Sequence, residues 1–405
     1  MNLNLALLVL QISVIILVSR LAGSLAAMIR QPRVIGEVFA GILLGPSLLG
    51  WAAPGVFAWL FPPASFAVLN ALSQLGLVLF MFLIGLELNV GELRRQGRAA
   101  LLISHAGMAA PMILGGFLAV YLYPRVSDPR VGFTGFALFM SAAMSVTAFP
   151  VLARILSERK MLQSRLGTMA IACAAVGDVT GWCVLAFIVA QVHATQSAIP
   201  LWLTLAGLAA YLVAMFAGVR RAARLFERTF TECGELPDNE KALVLLVLLL
   251  SALATEALGL HLLFGAFVAG AVMPRNREFV AYLKEKFEAL TVLLLLPLFF
   301  AYTGLRTNIG QVDNWLLCLL IIAVAVAGKL GGAGLCARLV GYRWRESLAL
   351  GALMNTRGLM ELVVVNIGLD IKVISPLLFS MLVVMAVVTT MMTPPLLHWL
   401  HPSRE

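Results

Sequence analysis

The chain has 405 residues, 61% hydrophobic and 12% charged, with a mean hydropathy of +0.97 and a formal net charge of +9. Such a composition excludes a soluble globular domain. The basic residues lie in short loops between apolar runs, which excludes a nucleic-acid-binding patch. In chain order, 13 apolar segments are predicted to cross a bilayer, at about 3–29, 34–51, 68–90, 99–122, 132–156, 166–192, 199–219, 241–258, 260–274, 287–305, 315–337, 347–368 and 374–398; the shorter ones cross only if tilted or broken. The first has no basic leader and runs past Arg20, so it reads as a retained helix and not a cleaved signal. The longest polar stretch is the loop from Arg220 to Lys241. A single transmembrane domain over 1–405 is expected, with no soluble regulatory domain.

Alternate loops carry the positive charge: Arg30 and Arg33; Arg94, Arg95 and Arg98; Arg159, Lys160 and Arg165; Arg220, Arg221, Arg224 and Arg228; Arg275, Arg277, Lys284 and Lys286; Arg338, Arg343 and Arg345. The other side holds Arg125, Arg130 and Lys372, with Arg306 at a helix end. This balance places the N-terminus outside and the C-terminus in the cytoplasm of a multi-pass protein of the cell (inner) membrane. The cysteines Cys173, Cys183, Cys233, Cys318 and Cys336 show no paired spacing, so neither a disulfide nor a metal cluster is expected.

Asp178 stands out in the sixth segment. It lies 13 residues beyond Arg165, about 20 Å along a helix and near the middle of the hydrocarbon. A carboxylate at that depth costs roughly 3 kcal/mol on insertion scales, and it implies a partner or a task. An ion or proton site is the first reading; a carboxylate that merely caps a neighbouring broken helix is the second. Lys329, about 13 Å along the eleventh segment from Arg338, is the expected partner, directly or through water. The alternative is a pair that only holds the bundle together.

Two segments contain breakers at corresponding places. The fifth reads Phe139-Met-Ser-Ala-Ala-Met-Ser-Val-Thr-Ala-Phe-Pro150, and the twelfth Gly351-Ala-Leu-Met-Asn-Thr-Arg-Gly-Leu-Met-Glu361. Proline and glycine at depth free backbone groups that must line a cavity or meet an ion. Lying seven segments apart, these two cross in opposite senses, as two broken helices of an inverted repeat meeting near the midplane would. Ser145, Thr147, Pro150, Asn355 and Thr356 line the expected breaks. Ser145, Thr147 and Asn355 carry oxygens suited to a desolvated monovalent cation, with Thr147 and Asp178 the candidate ligands, although membrane hydroxyls commonly bond a backbone carbonyl instead. Arg357 and Glu361 stand four apart and neutralise each other or serve the site.

Other polar residues carry less. Glu87, Asn89, Glu256 and Arg306 end segments and read as interfacial anchors, and Glu37 faces Arg33. His105 is either a proton shuttle or a histidine hydrogen-bonded in place. Gly41 and Gly45 have the small-xxx-small spacing of a close helix contact or a dimer seam.

A wider resemblance rests on motifs in register. Gln31-Pro-Arg-Val-Ile-Gly-Glu-Val-Phe-Ala-Gly-Ile-Leu-Leu-Gly-Pro-Ser47, Phe82-Leu-Ile-Gly-Leu-Glu-Leu88, Ser145-Val-Thr-Ala-Phe-Pro-Val-Leu-Ala-Arg154, Leu263-Phe-Gly-Ala-Phe-Val-Ala-Gly270, Pro297-Leu-Phe-Phe300 with Thr303-Gly-Leu305, and Asn355-Thr-Arg-Gly-Leu-Met-Glu361 follow one another across nearly the whole chain. Together they resemble the monovalent cation:proton antiporters of the Kef and plant cation/H+ exchanger branch. The resemblance implies a homodimer in the lipid bilayer, no enzyme activity and no cofactor, with H+ and a monovalent cation as the transported species. Scaffold helices are implied at about 1–90 and 241–308, and a transport core at about 99–192 and 315–398. The aspartate that binds cation and proton in competition maps onto Asp178, the helix-11 cation onto Lys329, and the broken-helix positions onto Thr147 and Arg357.

Two departures are visible. Gly177 stands where the family carries Asp, Asn or Gln, which bears on stoichiometry. The nucleotide-binding regulatory domain of Kef systems is not in this sequence, and regulation by a separate subunit stays open. The reading is a K+ or Na+/proton antiporter working by alternating access. Its rivals are a gated K+ efflux pathway, an exporter of an organic ion on the same scaffold, and a sensor subunit that transports nothing.

Overall fold

The computed structural model describes residues 5–29, 31–87, 97–128, 131–162, 164–196 and 201–400. Arg30, Asn89, Arg94, Arg95 and Arg130 lie outside them. The described residues are all-helical: α1 (Leu5–Met28), α2 (Arg33–Leu44), α3 (Pro63–Glu87), α4 (Gly97–Val126), α5 (Phe133–Ser145), α6 (Phe149–Glu158), α7 (Arg165–Gln196), α8 (Leu201–Val213), α9 (Arg220–Cys233), α10 (Asp238–Ala257), α11 (Leu262–Val272), α12 (Arg277–Leu290), α13 (Leu296–Leu305), α14 (Trp315–Leu339), α15 (Trp344–Met354), α16 (Leu359–Asp370) and α17 (Pro376–Leu400). Short turns at Leu49–Ala52 and Pro54–Leu60 join α2 to α3.

Among the described residues, 10 helices are long and apolar enough to cross a membrane, or 11 when the pair α15 and α16, bent by 43°, counts as one span. The chain is a multi-pass membrane protein. The expected count of 13 is not reached, and the segments at 241–258 and 260–274 account for the difference. Helix α10 includes Asp238, Glu240, Lys241 and Glu256 within its 20 residues. Helix α11 has 11 residues, about 16 Å, too short to span the hydrocarbon alone. Apolar composition gave both segments the signature of a span; length and flanking charge deny it to them as single helices.

By its contacts the chain forms two compact units. One comprises Met1–Phe66, Gly91–Leu185 and Phe300–Glu405, the other Ala67–Val90 and Ala186–Phe299. Apolar burial drives helix association weakly inside a membrane, so close approach and polar contacts decide which helices pair. In the first unit Gly41 of α2 lies against α13: a Cβ there would sit 2.2 Å from the Ala301 carbonyl oxygen, and one at Gly304 2.5 Å from Gly41 C. The small-xxx-small spacing therefore serves a contact within the chain, where any side chain would push the backbones apart. In the second unit Arg275 donates to the carbonyl oxygens of Gly85 (3.4 Å) and Leu86 (3.1 Å), closing the end of α3. Lys284 pairs with Glu87, and Phe82 meets Phe287 edge-on at 5.6 Å. Phe230 of α9 packs between Phe279 and Tyr282 of α12, at 5.6 and 5.1 Å.

Candidate functional site

The site is built where two helices are interrupted. Pro150 occupies the first turn of α6. It has no N–H to give Val146, and its ring would clash with the Val146 carbonyl in a continuous helix. The chain therefore unwinds over Val146, Thr147 and Ala148 before α6 starts. The second interruption contains no proline. Helix α15 stops at Met354, and Gly358 leads into α16 with φ 158°. A Cβ on Gly358 would meet Val151 Cγ2 at 2.8 Å, so only glycine lets α16 begin this close to α6. The two unwound stretches touch: Ala148 N–H donates to the Thr356 carbonyl oxygen (2.9 Å), and the Thr147 hydroxyl to that of Met354 (2.9 Å).

Breaking α5 frees the four carbonyls of its last turn; the Ser145 hydroxyl meets Ala142 O at 2.9 Å, and the other three need donors. Arg357 supplies two, donating through Nη1 to Ala143 O (2.6 Å) and through Nη2 to Met144 O (2.7 Å). Lys329 Nζ supplies the third, to Ser145 O, and also donates to Thr147 Oγ1 at 2.7 Å. Two cations thus sit at the negative end of the α5 dipole. The start of α6 is positive, and there the Phe149 N–H is hydrogen-bonded to the Asp178 carboxylate. Glu361 takes the matching place in the first turn of α16, where its Oε2 accepts from Arg357 Nη1 at 2.8 Å.

All four charges are buried: Arg357, Lys329 and Glu361 have 0% exposure and Asp178 5%. Two positive and two negative groups leave the crossing neutral, which is how such a cluster survives in a low dielectric. Their pairing is unequal. Arg357 and Glu361 form a direct ion pair. Asp178 and Lys329 interact through space, while the ammonium bonds the break itself. One Asp178 oxygen, Oδ1, is buried with no hydrogen-bond partner, as are Glu361 Oε1, Asn355 Oδ1 and Arg357 Nε. Unpartnered buried polar atoms are uncommon and ask for an explanation.

The crossing brings together Ser145, Thr147, Lys329, Asn355, Thr356, Arg357, Glu361 and Asp178, with Pro150 as the breaker. The hydroxyls mostly bond backbone or neighbouring hydroxyls: Ser145 Oγ donates to Ala142 O at 2.9 Å, and Thr356 Oγ1 to Thr393 Oγ1 at 3.4 Å. Thr390 of α17 was missed by sequence reasoning. Its hydroxyl accepts from Arg357 N–H (3.0 Å) and has the carbonyl oxygens of Arg357 (2.8 Å) and Ala386 (2.7 Å) as alternative acceptors for its one proton. The threonines at 389, 390 and 393, all buried on one helix, were the available signal.

Other candidates lie apart. His105 is exposed, with Nδ1 2.8 Å from Leu101 O and Nε2 3.5 Å from Thr180 Oγ1. Glu37 interacts electrostatically with Arg20 and Arg154 as well as Arg33. Glu256 Oε2 accepts from Leu262 N–H at 3.0 Å. The cysteines are free, and no group of three metal-ligating side chains occurs among the described residues.

The family model described as "Sodium/hydrogen exchanger, transmembrane" matches residues 13–400. The chain belongs to that family. It is 41% identical over 408 residues to a Na+/H+ antiporter, NhaS4, of Synechocystis, covering 100% of this chain and 99% of that one. It is 41% identical to cation/H+ antiporter 17 of Arabidopsis thaliana, over 97% of this chain and 48% of the relative. A K+/H+ antiporter of Saccharomyces cerevisiae is 33% identical over 97% of this chain and 46% of its own length. The chain thus spans about half the length of these plant and yeast relatives. Among solved structures, the sodium proton antiporter NhaP1 of Methanocaldococcus jannaschii matches with a TM-score of 0.69 at 15% identity, over 98% of this chain and 97% of that chain. That likeness shows a shared fold.

Proposed function

We propose that this exchanger moves a monovalent cation, K+ or Na+, against a proton by alternating access, and that cation and proton compete for Asp178. The observation that carries the proposal is a buried carboxylate at the helix crossing with one oxygen bound by Phe149 N–H and the other unpartnered. That oxygen accepts either a proton or a small cation. The relatives named for Na+/H+ and K+/H+ antiport support this pairing of substrates, and they span both cations.

Lys329 has a definite part in the cycle. Its ammonium occupies the two oxygens, Ser145 O and Thr147 Oγ1, that a desolvated cation arriving at Asp178 would use next. Cation binding therefore displaces the ammonium from the break, and departure of the cation lets it return. Arg357 and Glu361 hold the break in shape by capping α5 while the site empties and fills. With Gly177 in place of a second carboxylate or amide, one proton per cation is the simplest exchange. The cycle proceeds in a homodimer of the cell membrane, N-terminus outside and C-terminus inside. Residues of about 99–192 and 315–398 move against a scaffold of about 1–90 and 241–308.

Proton flux in proteoliposomes, started by adding K+, Na+ or Li+, tests the reading. Wild type should acidify or alkalinise the lumen with the cation gradient, and Asp178→Asn should behave as empty liposomes. Exchange that survives Asp178→Asn refutes the assigned site. Cation currents without proton coupling would instead indicate a channel.

A further inference from the structure

We propose that Arg306 is a positioning residue, a clamp that fastens the far end of α16 to the end of α13 and must let go once in each transport cycle. Arg306 immediately follows α13. Its Nη2 donates to Asp370 Oδ1 at 2.7 Å and its Nη1 to Asn366 Oδ1 at 3.1 Å. Asn366 and Asp370 stand four apart on α16, so the planar fork of one guanidinium spans one turn of that helix. The same guanidinium lies over the rings of Tyr302 (5.4 Å) and Phe379 (5.7 Å). Asn366 Nδ2 also donates to Thr303 Oγ1 at 2.9 Å, and Asn308 N–H donates to Ser380 Oγ of α17 at 3.1 Å. Thr303, Asn366 and Ser380 are buried. An interfacial anchor turns its charge to water or headgroups. This one has its fork committed to α16 and its faces to two rings, one from each side of the junction.

The position gives the contact its meaning. Helix α16 starts at the crossing and ends at the clamp. Asn366 lies five residues beyond Glu361, about 7.5 Å along a rigid helix. Whatever holds Asn366 and Asp370 therefore fixes the depth of Glu361, and through it of Arg357. In the two-part division proposed above, on which this inference rests, α13 belongs to the scaffold and α16 to the moving core; that contacts group Phe300–Arg306 with α16 in one compact unit is what a closed clamp produces. A displacement of one against the other must break these bonds. The ion pair is suited to that, because its side chains are 18% and 33% exposed, and partly exposed pairs are individually weak. It biases one conformation without locking it. The junction lies at the end of α16 remote from Arg343 and Arg345, the outer side by the charge rule.

A reducible bifunctional methanethiosulfonate linker between Arg306→Cys and Asp370→Cys, in the full chain reconstituted in liposomes, tests the release. Exchange should fall to the level of Asp178→Asn when the linker is in place and return on reduction. The reagent should leave the rate of each single-cysteine variant where it was. Exchange that continues with cross-linking complete by mass spectrometry overturns the clamp. Hydrogen exchange needs no transport and supplies the second arm. Amides of residues 366–371 should lose protection in Arg306→Lys and Asp370→Asn, and regain it when the charges are reversed together, Arg306→Asp with Asp370→Arg. Wild-type protection in the single variants, or a reversed pair no better protected than they are, also overturns it. Uncross-linked wild type that exchanges nothing would sink the antiport reading and leave the hydrogen-exchange arm standing. Asp178-dependent exchange in the cross-linked chain would sink the clamp alone.

Discussion

The two helix breaks meet at one crossing and are finished in different ways. In the second, the charges answer each other: Arg357 pairs with Glu361 at 2.8 Å, and the Thr390 hydroxyl accepts from the Arg357 N–H. In the first, the carboxylate at the start of α6 has no cation in contact, and the nearby ammonium is tied to backbone and hydroxyl oxygens instead. Both breaks leave buried polar atoms unpartnered, but of the four charges at the crossing only Asp178 combines such an atom with the lack of an ion pair. The difference teaches what a carboxylate at a helix start is for. Neutralised at contact distance, it stabilises the break; left open beside one, it can take a cargo ion.

The contrast is broken or upheld most sharply by two isosteric amides. Glu361→Gln leaves the Arg357 guanidinium buried without its counter-charge, a loss of about 3–5 kcal/mol, so a large drop in thermal midpoint is expected. Asp178→Asn breaks no ion pair and keeps an oxygen for Phe149 N–H. Its midpoint should fall far less, while its exchange disappears. If the two variants rank the other way in thermal unfolding, the division into a structural and a cargo carboxylate is wrong.

Thr147→Val comes next in size. It keeps the side-chain shape and removes a hydroxyl that accepts from Lys329 and donates to Met354 O. Leaving both partners short costs about 1–3 kcal/mol. The ammonium would then be held by Ser145 O alone, and the arriving cation would lose the same hydroxyl as a ligand, so the apparent KM for the cation should shift. An unchanged KM with a lowered melting point would mean that the hydroxyl serves packing alone.

How much of this was legible in the chain follows from what letters encode. Apolar runs located the spans, and Pro150 and Gly358 located both interruptions, because backbone restrictions travel with residue type. Isolated charges in apolar surroundings marked Asp178, Lys329, Arg357 and Glu361. Their partners were less visible. Lys329 was expected to meet Asp178, yet its bonds go to Ser145 O and Thr147 Oγ1. A carbonyl freed by a break has no letter of its own, and opposite charges on two helices do not say which acceptor lies nearer. Arg306 read as a helix-end anchor because Asn366 and Asp370 lie 60 and 64 residues away in sequence. Gly41 fitted a dimer seam as well as an internal contact until Gly304 appeared opposite it.

The smallest expected effect concerns Gly177, beside the cargo carboxylate. A Cβ added there would sit 3.3 Å from Ser104 Oγ and 3.8 Å from Met108 Sδ. Ser104 is held by its bond to Cys173 O at 2.7 Å, so it must yield slightly. Replacing a helical glycine also recovers backbone entropy. The two effects oppose, and Gly177→Ala should stay within about 1 kcal/mol of wild type, with exchange intact. Glycine is thus tolerated here and not demanded by space, and its consequence is electrical. Gly177→Asp puts a second carboxylate next to Asp178 in a crossing that is otherwise balanced, two charges against two. The extra negative charge would hold the cation between two carboxylates, and each of the two could take a proton once the cation leaves, giving two protons per cation. Wild-type turnover should move no net charge across a liposome membrane, whereas Gly177→Asp should generate a measurable potential. A wild type that already moves charge would point to Lys329 as a second proton carrier and remove glycine's part in setting the ratio.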